Sequence, residues 1–107
     1  MTSLLHILRD EDGFLCHRAD WNTEIAQQLA LQDNIQLGDA HWEIIALAQR
    51  YFDTYAASPG SKLLVRYVRH EAGTEKGSSM YLMRLFGGQA AKTVSRIAGL
   101  PKPEHCL

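Results

Sequence analysis

Two cysteines, Cys16 and Cys106, are the only thiols in the 107 residues. They lie far apart and no Cys-x-x-Cys pair exists, which removes a thioredoxin-type dithiol and a zinc ribbon. Cys106 stands in the tail Leu100-Pro101-Lys102-Pro103-Glu104-His105-Cys106-Leu107. The Pro-x-Pro pair holds the backbone near polyproline II, at about 3.1 Å per residue. Extended from Gly99 to Cys106, such an arm reaches about 20 Å. A thiol this close to a terminus is hard to bury. Alone, it cannot close a redox cycle through an intramolecular dithiol. It can act as a nucleophile that accepts a group, holds it covalently and passes it on. Sulfane sulfur suits that role, because cysteine takes it as a persulfide whose terminal sulfur transfers easily. Glu104 and the terminal carboxylate disfavour the thiolate, whereas Lys102, Arg96 and a protonated His105 favour it. Arg96 and Lys102 are therefore the candidate anion-stabilising cations. A frayed tail with an incidental cysteine fits the same residues, and the tail chemistry alone leaves both readings open.

Cys16 lies in the apolar run Phe14-Leu15-Cys16. Free cysteines in such runs behave as small buried hydrophobes, and that is the expectation for Cys16. The pairs Cys16-His17 and His105-Cys106 together hold four metal-ligand types, but neighbouring residues rarely point at one ion, so no metal is expected. No cofactor motif is present, and none is expected.

The elements that must position the arm follow from hydrophobic spacing. Leu4 to Leu8, the turn cluster Asp10-Glu11-Asp12-Gly13 and Phe14 to His17 suggest a small β-hairpin. Asp20 is the expected N-cap of a helix opening at Trp21, with Ile25 and Leu29 on its inner face. Trp42, Ile45, Gln49, Phe52 and Tyr55 recur every three or four residues, predicting a helix from about Gly38-Asp39 to Ala56. Ser58-Pro59 reads as an N-cap followed by a first helical residue. The helix beyond turns Leu64, Val65 and Val68 inward, faces Lys62, Arg66 and Arg69 outward, and ends at Gly73. A short helix runs from Gly77-Ser78-Ser79 to Phe86 and is broken by Gly87-Gly88. The last spans about Gln89 to Ala98, with Gly99 at its end and Pro101 preventing continuation. The expected fold is α+β and mostly α: a small N-terminal β-hairpin or meander packed on about five helices, with a flexible C-terminal arm. The expected division is one compact domain over residues 1–99 and the arm over 100–107.

Composition narrows the function classes. Hydrophobic residues make up 46% and charged residues 21% of the chain, which argues for one globular domain rather than a disordered or fibrous chain. No run approaches the roughly 18 apolar residues of a membrane helix, and the N-terminal segment lacks the basic lead of a signal peptide, so a cytoplasmic protein is expected. The net charge of −1 hides an asymmetry. Residues 1–60 carry three basic and nine acidic side chains, and residues 61–107 carry eight basic and three acidic ones. The basic half is the one that holds Cys106. The tyrosines do not interleave with basic residues as a stacking platform does, so direct nucleic-acid binding is not expected.

Ile97-Ala98-Gly99-Leu100-Pro101-Lys102-Pro103, then two residues, Cys106 and a terminal aliphatic, resembles the C-terminus of the TusE/DsrC sulfur-relay family. Further family-like pieces occur in order: Asp12-Gly13-Phe14-Leu15, Asp20-Trp21-Asn22, His41-Trp42-Glu43, Ser58-Pro59, Glu75-Lys76-Gly77, and Tyr81-Leu82 with Arg84-Leu85-Phe86. The resemblance implies that Cys106 is the active cysteine of a sulfurtransferase working through a persulfide. In DsrC-type members a second cysteine lies eleven residues earlier, where this chain has Ser95. The single cysteine is the TusE-like pattern. The resemblance further implies a TusBCD-type donor complex, with TusD handing over sulfur. It also implies a MnmA-type thiolase with tRNA as acceptor, for 2-thiolation of the wobble uridine. Gly87-Gly88-Gln89, Gly60-Ser61-Lys62 and Glu104-His105 depart from the usual family segments. A DsrC-like protein of another sulfur pathway would share the tail. A helix-turn-helix module using Lys62, Arg66 and Arg69, or an adaptor that uses only the Pro-x-Pro tail, are the other classes in play.

Overall fold

The computed structural model describes residues 3–104. Five α-helices follow two short 3-10 turns, Leu4–His6 and Arg18–Asp20. The helices are α1 (Thr23–Leu31), α2 (Asp39–Tyr55), α3 (Ser61–Ala72), α4 (Ser79–Phe86) and α5 (Ala90–Ile97). Each buries a stripe at helical spacing: Ile25, Ala26, Leu29 and Ala30 on α1, Ile44, Ile45, Leu47 and Ala48 on α2, Leu64 and Val68 on α3, and Leu82 and Phe86 on α4. Ala91, Val94, Ser95 and Ile97 of α5 are also buried, and α5 packs against all four other helices. The helix that leads into the C-terminal arm is thus the hub of the core.

Two of the five helices, α1 and α4, start where an N-cap side chain satisfies a free backbone N–H group. Asn22 caps α1 by accepting from the Ile25 N–H at 2.9 Å. This displaces the expected Asp20 cap. Arg18–Asp20 form a 3-10 turn, and Trp21 stays extended with its indole N–H donating to the Ile97 carbonyl at 2.8 Å. Replacing Asn22 by alanine is expected to cost about 1 kcal/mol of stability, read from the midpoint of urea unfolding. Helix α3 starts after Gly60 and not at Ser58-Pro59. The Ser58 hydroxyl has a distant partner instead, donating to the Pro101 carbonyl at 2.5 Å. Ser78 caps α4, accepting from the Tyr81 N–H at 3.1 Å.

His41 ties α2 to the end of α4. Its Nδ1 accepts from the Gly38 N–H at 3.1 Å, and its Nε2–H donates to the Leu85 carbonyl at 3.0 Å. The neutral Nε2–H tautomer satisfies both bonds. The ring also stands edge-on to Phe86, with centroids 5.2 Å apart.

The α+β expectation is corrected. Among the described residues there is no strand, and the fold is all-helical. The N-terminal segment makes one isolated antiparallel bridge, Arg9 with Leu15, in place of a β-hairpin. The reason is local. The Asp10 carboxylate accepts from the N–H groups of Asp12 at 2.9 Å and Phe14 at 3.0 Å, winding the chain into a side-chain-held turn. The 3-10 turn Leu4–His6 takes up residues that the first arm of a ladder would need. What remains is a loop that plugs Phe14 and Leu15 into the core.

Candidate functional site

The end of α5 is closed more completely than a helix end usually is. The last carbonyls of a helix lack partners within it. Here the Leu100 N–H donates to the Ser95 carbonyl at 2.9 Å and the Gly99 N–H to the Arg96 carbonyl at 3.3 Å. With Gly99 at φ +76°, this is a Schellman motif. The next two carbonyls are taken by distant side chains: Trp21 Nε1–H reaches Ile97, and the Gln49 amide reaches Ala98 at 2.9 Å. The arm therefore leaves a rigid root fixed from the α1 entrance and from α2.

Beyond the root the chain stays on the body. Leu100 is part of the core and Pro103 is buried. Pro101 is held by Ser58, and Lys102 Nζ pairs with Asp12 Oδ2 at 3.2 Å. The arm passes beside an open groove of about 690 Å³ whose lining includes Tyr51, Phe52, Lys62, Leu63, Pro101 and Glu104. Its walls are aromatic and aliphatic, with a cationic edge. His105 and Cys106 lie outside the described residues. Cys106 follows Pro103, the last buried residue of the anchored segment, by three positions.

The two candidate cations occupy the arm root in different ways. Arg96 on α5 is mostly covered, at 14% side-chain exposure, and pairs with Asp33 just beyond α1. Burial, and then the charge of Arg9, hold its pKa below the ordinary arginine value. Lys102 and Asp12 are each about two-fifths exposed. A pair of that kind contributes at most about 1 kcal/mol and exchanges readily.

Ser95 sits on α5 with 0% exposure, and its Oγ has no hydrogen-bond partner among the described residues. Cys16 is exposed, correcting the expectation that it is buried. Phe14 and Leu15 take the inward positions, and the Cys16 N–H bonds back to the Leu8 carbonyl at 3.1 Å. The sequence does not mark Ser58, Trp21 and Gln49 as arm-holding residues, because their partners lie 43, 76 and 49 positions away. The Trp21–Ile97 pairing has one signal: both residues belong to the motifs that carry the family resemblance.

The family model described as "DsrC like protein" matches residues 3–107. The chain belongs to that family. As a DsrC-like chain it is 39% identical over 103 residues to the "Sulfurtransferase TusE homolog" of Haemophilus influenzae, covering 96% of this chain and 94% of that protein. It is 41% identical over 101 residues to "Sulfurtransferase TusE" of Sodalis glossinidius, covering 94% of each. Among solved structures, the NMR structure of Allochromatium vinosum DsrC superposes with a TM-score of 0.84 at 40% identity, covering 94% of this chain and 90% of that one. The oxidized gamma-subunit of the dissimilatory sulfite reductase (DsrC) from Archaeoglobus fulgidus gives 0.77 at 36% identity, covering 94% and 92%. The DsrC-like frame thus extends over nearly the whole chain, tail motif included. No helix among the described residues is long and apolar enough to cross a membrane.

Proposed function

We propose that this DsrC-like chain is a sulfur-relay sulfurtransferase that carries sulfane sulfur on Cys106. The observation that carries the reading is near-full-length similarity, at 39–41% identity, to proteins named sulfurtransferase TusE. Ser95 supports it: the position of the second cysteine in DsrC-type members holds a buried hydroxyl, which leaves Cys106 without a thiol partner there.

The transfer balances without an external oxidant or reductant. The Cys106 thiolate attacks the terminal sulfur of a donor persulfide. A new sulfur–sulfur bond forms on Cys106, the donor's own bond breaks, and the donor sulfur leaves as a thiolate with the electron pair. Delivery repeats the step, with an acceptor thiolate attacking and Cys106 leaving. Lys102 stabilises the Cys106 anion by exchanging its exposed partner Asp12 for it, and Arg96 adds positive charge at the arm root. The body over residues 1–99 carries the arm over 100–107. The donor is a TusD-bearing complex, the acceptor is a MnmA-type thiolase with tRNA, and the setting is the cytoplasm, so the sulfur ends on the wobble uridine.

Incubating the purified chain with a small persulfide donor is expected to add one sulfur, about 32 Da, on the peptide containing Cys106. Peptide mapping that finds the added sulfur on Cys16 instead would overturn the assignment.

A further inference from the structure

We infer that the outer stripe of α3, with the methionines of α4 beside it, is the docking surface for an acidic, partly apolar face of the protein that exchanges sulfur with Cys106. Lys62, Arg66 and Arg69 stand four and three residues apart and so share one face of α3. All three are exposed, and together they line a cavity of about 250 Å³ between α3 and the start of α4. Neither Lys62 nor Arg66 belongs to any ion pair among the described residues. Arg69 is held in place, its Nε–H donating to the Gly77 carbonyl at 3.1 Å. Gly77 lies so close that an added Cβ would stand 2.3 Å from the Arg69 Cα. The stripe thus joins one fixed cation, Arg69, to two, Lys62 and Arg66, that have no carboxylate partner among the described residues.

Two further observations choose the occupant. Met80 and Met83 on α4 are 62% and 47% exposed. Met83 lines a second, smaller cavity that shares Ser61, Val65 and Ser79 with the cationic one. Exposed methionines are adaptable protein-contact residues, and a phosphate backbone has no use for them. Lys62 also lines the groove beside the arm. A partner seated on α3 therefore borders the groove beside the described part of the arm, Pro101 to Glu104. Charge complementarity asks for an acidic partner face, and such a face speeds encounter before chemistry.

This inference rests on the carrier reading, and the experiment separates the two. A sulfur-loaded TusBCD-type complex and glutathione persulfide serve as parallel donors to the full chain. The Lys62→Glu/Arg66→Glu variant is expected to accept sulfur from the complex about tenfold more slowly, with a flatter dependence on salt. Loading by glutathione persulfide, which needs no docking, stays unchanged. Met80→Gln/Met83→Gln slows the complex by a smaller factor and leaves the salt slope as it was. Wild-type kinetics with the complex in the charge-reversed variant would overturn the docking surface while the carrier function stands. No loading of the wild type by either donor would overturn both. A variant that loses only salt-sensitive tRNA retention would assign the stripe to RNA, and one that loses only self-association would assign it to a second copy of this chain. Either result would overturn the inference.

Discussion

Cys106→Ser is expected to abolish sulfur loading and delivery, while Cys16→Ser keeps both. A serine hydroxyl is not ionised near neutral pH and cannot hold sulfane sulfur, so no residual route exists through position 106. Cys16 is the only other thiol, and it is exposed. That exposure makes the pair of variants informative. A general alkylating reagent reaches Cys16 in the folded protein and does not discriminate between the sites. Mass analysis after persulfide treatment, followed by transfer to a protein acceptor, does discriminate. The expected pattern is one added sulfur in the wild type and Cys16→Ser, none delivered by Cys106→Ser, and no fold difference by circular dichroism. Delivery by Cys106→Ser at a rate near that of wild type would move the chemistry to Cys16 and remove the reason for the anchored arm.

The parts of this protein that sequence makes legible are those governed by short-range pattern. Trp42 to Tyr55, Leu64 to Val68 and Tyr81 to Phe86 repeat at three or four residues, and α2, α3 and α4 lie where that spacing puts them. Gly99 followed by Leu100-Pro101 marks a helix end, and the Schellman motif forms there. The misread elements share a different cause. Asp10 folds its own backbone into a turn, so a segment with hairpin composition never builds a ladder. Ser58 has the chemistry of an N-cap, but its hydroxyl is spent on Pro101. The candidate site shows the same division. The near-terminal thiol and its Pro-x-Pro tether can be read directly. The contacts that hold the tether to the body cannot, because Asp12–Lys102 and Asp33–Arg96 join residues 90 and 63 positions apart. The tether expected from Gly99 onward is, in the structure, a strap fastened as far as Pro103.

That fastening gives the second large effect, at Gly99. Its φ of +76° lies in the left-handed region, which costs an L-residue about 1–2 kcal/mol. A Cβ there would also stand 2.5 Å from Trp21 Cδ1 and 2.8 Å from Trp21 Cβ. Trp21 cannot yield freely, because its indole N–H is bonded to the Ile97 carbonyl at 2.8 Å. Overpacking of this kind adds about 1–3 kcal/mol, so Gly99→Ala is expected to lose about 2–5 kcal/mol in all. For a domain of this size the melting temperature then falls by at least about 8 °C. Trp21→Leu removes the obstructing ring, at its own cost in packing and one hydrogen bond. In the double variant the two losses should fall short of their sum by about 1 kcal/mol or more, since the residues share one contact. Function separates along the same line. Below its melting temperature Gly99→Ala should load sulfur from glutathione persulfide as wild type does, because the thiol is untouched. Transfer from a protein donor should slow, because the root that aims the arm has shifted. A melting temperature within about 2 °C of wild type would mean that the root is not held as the Trp21–Gly99 contact requires, since even 1 kcal/mol moves a domain of this size further.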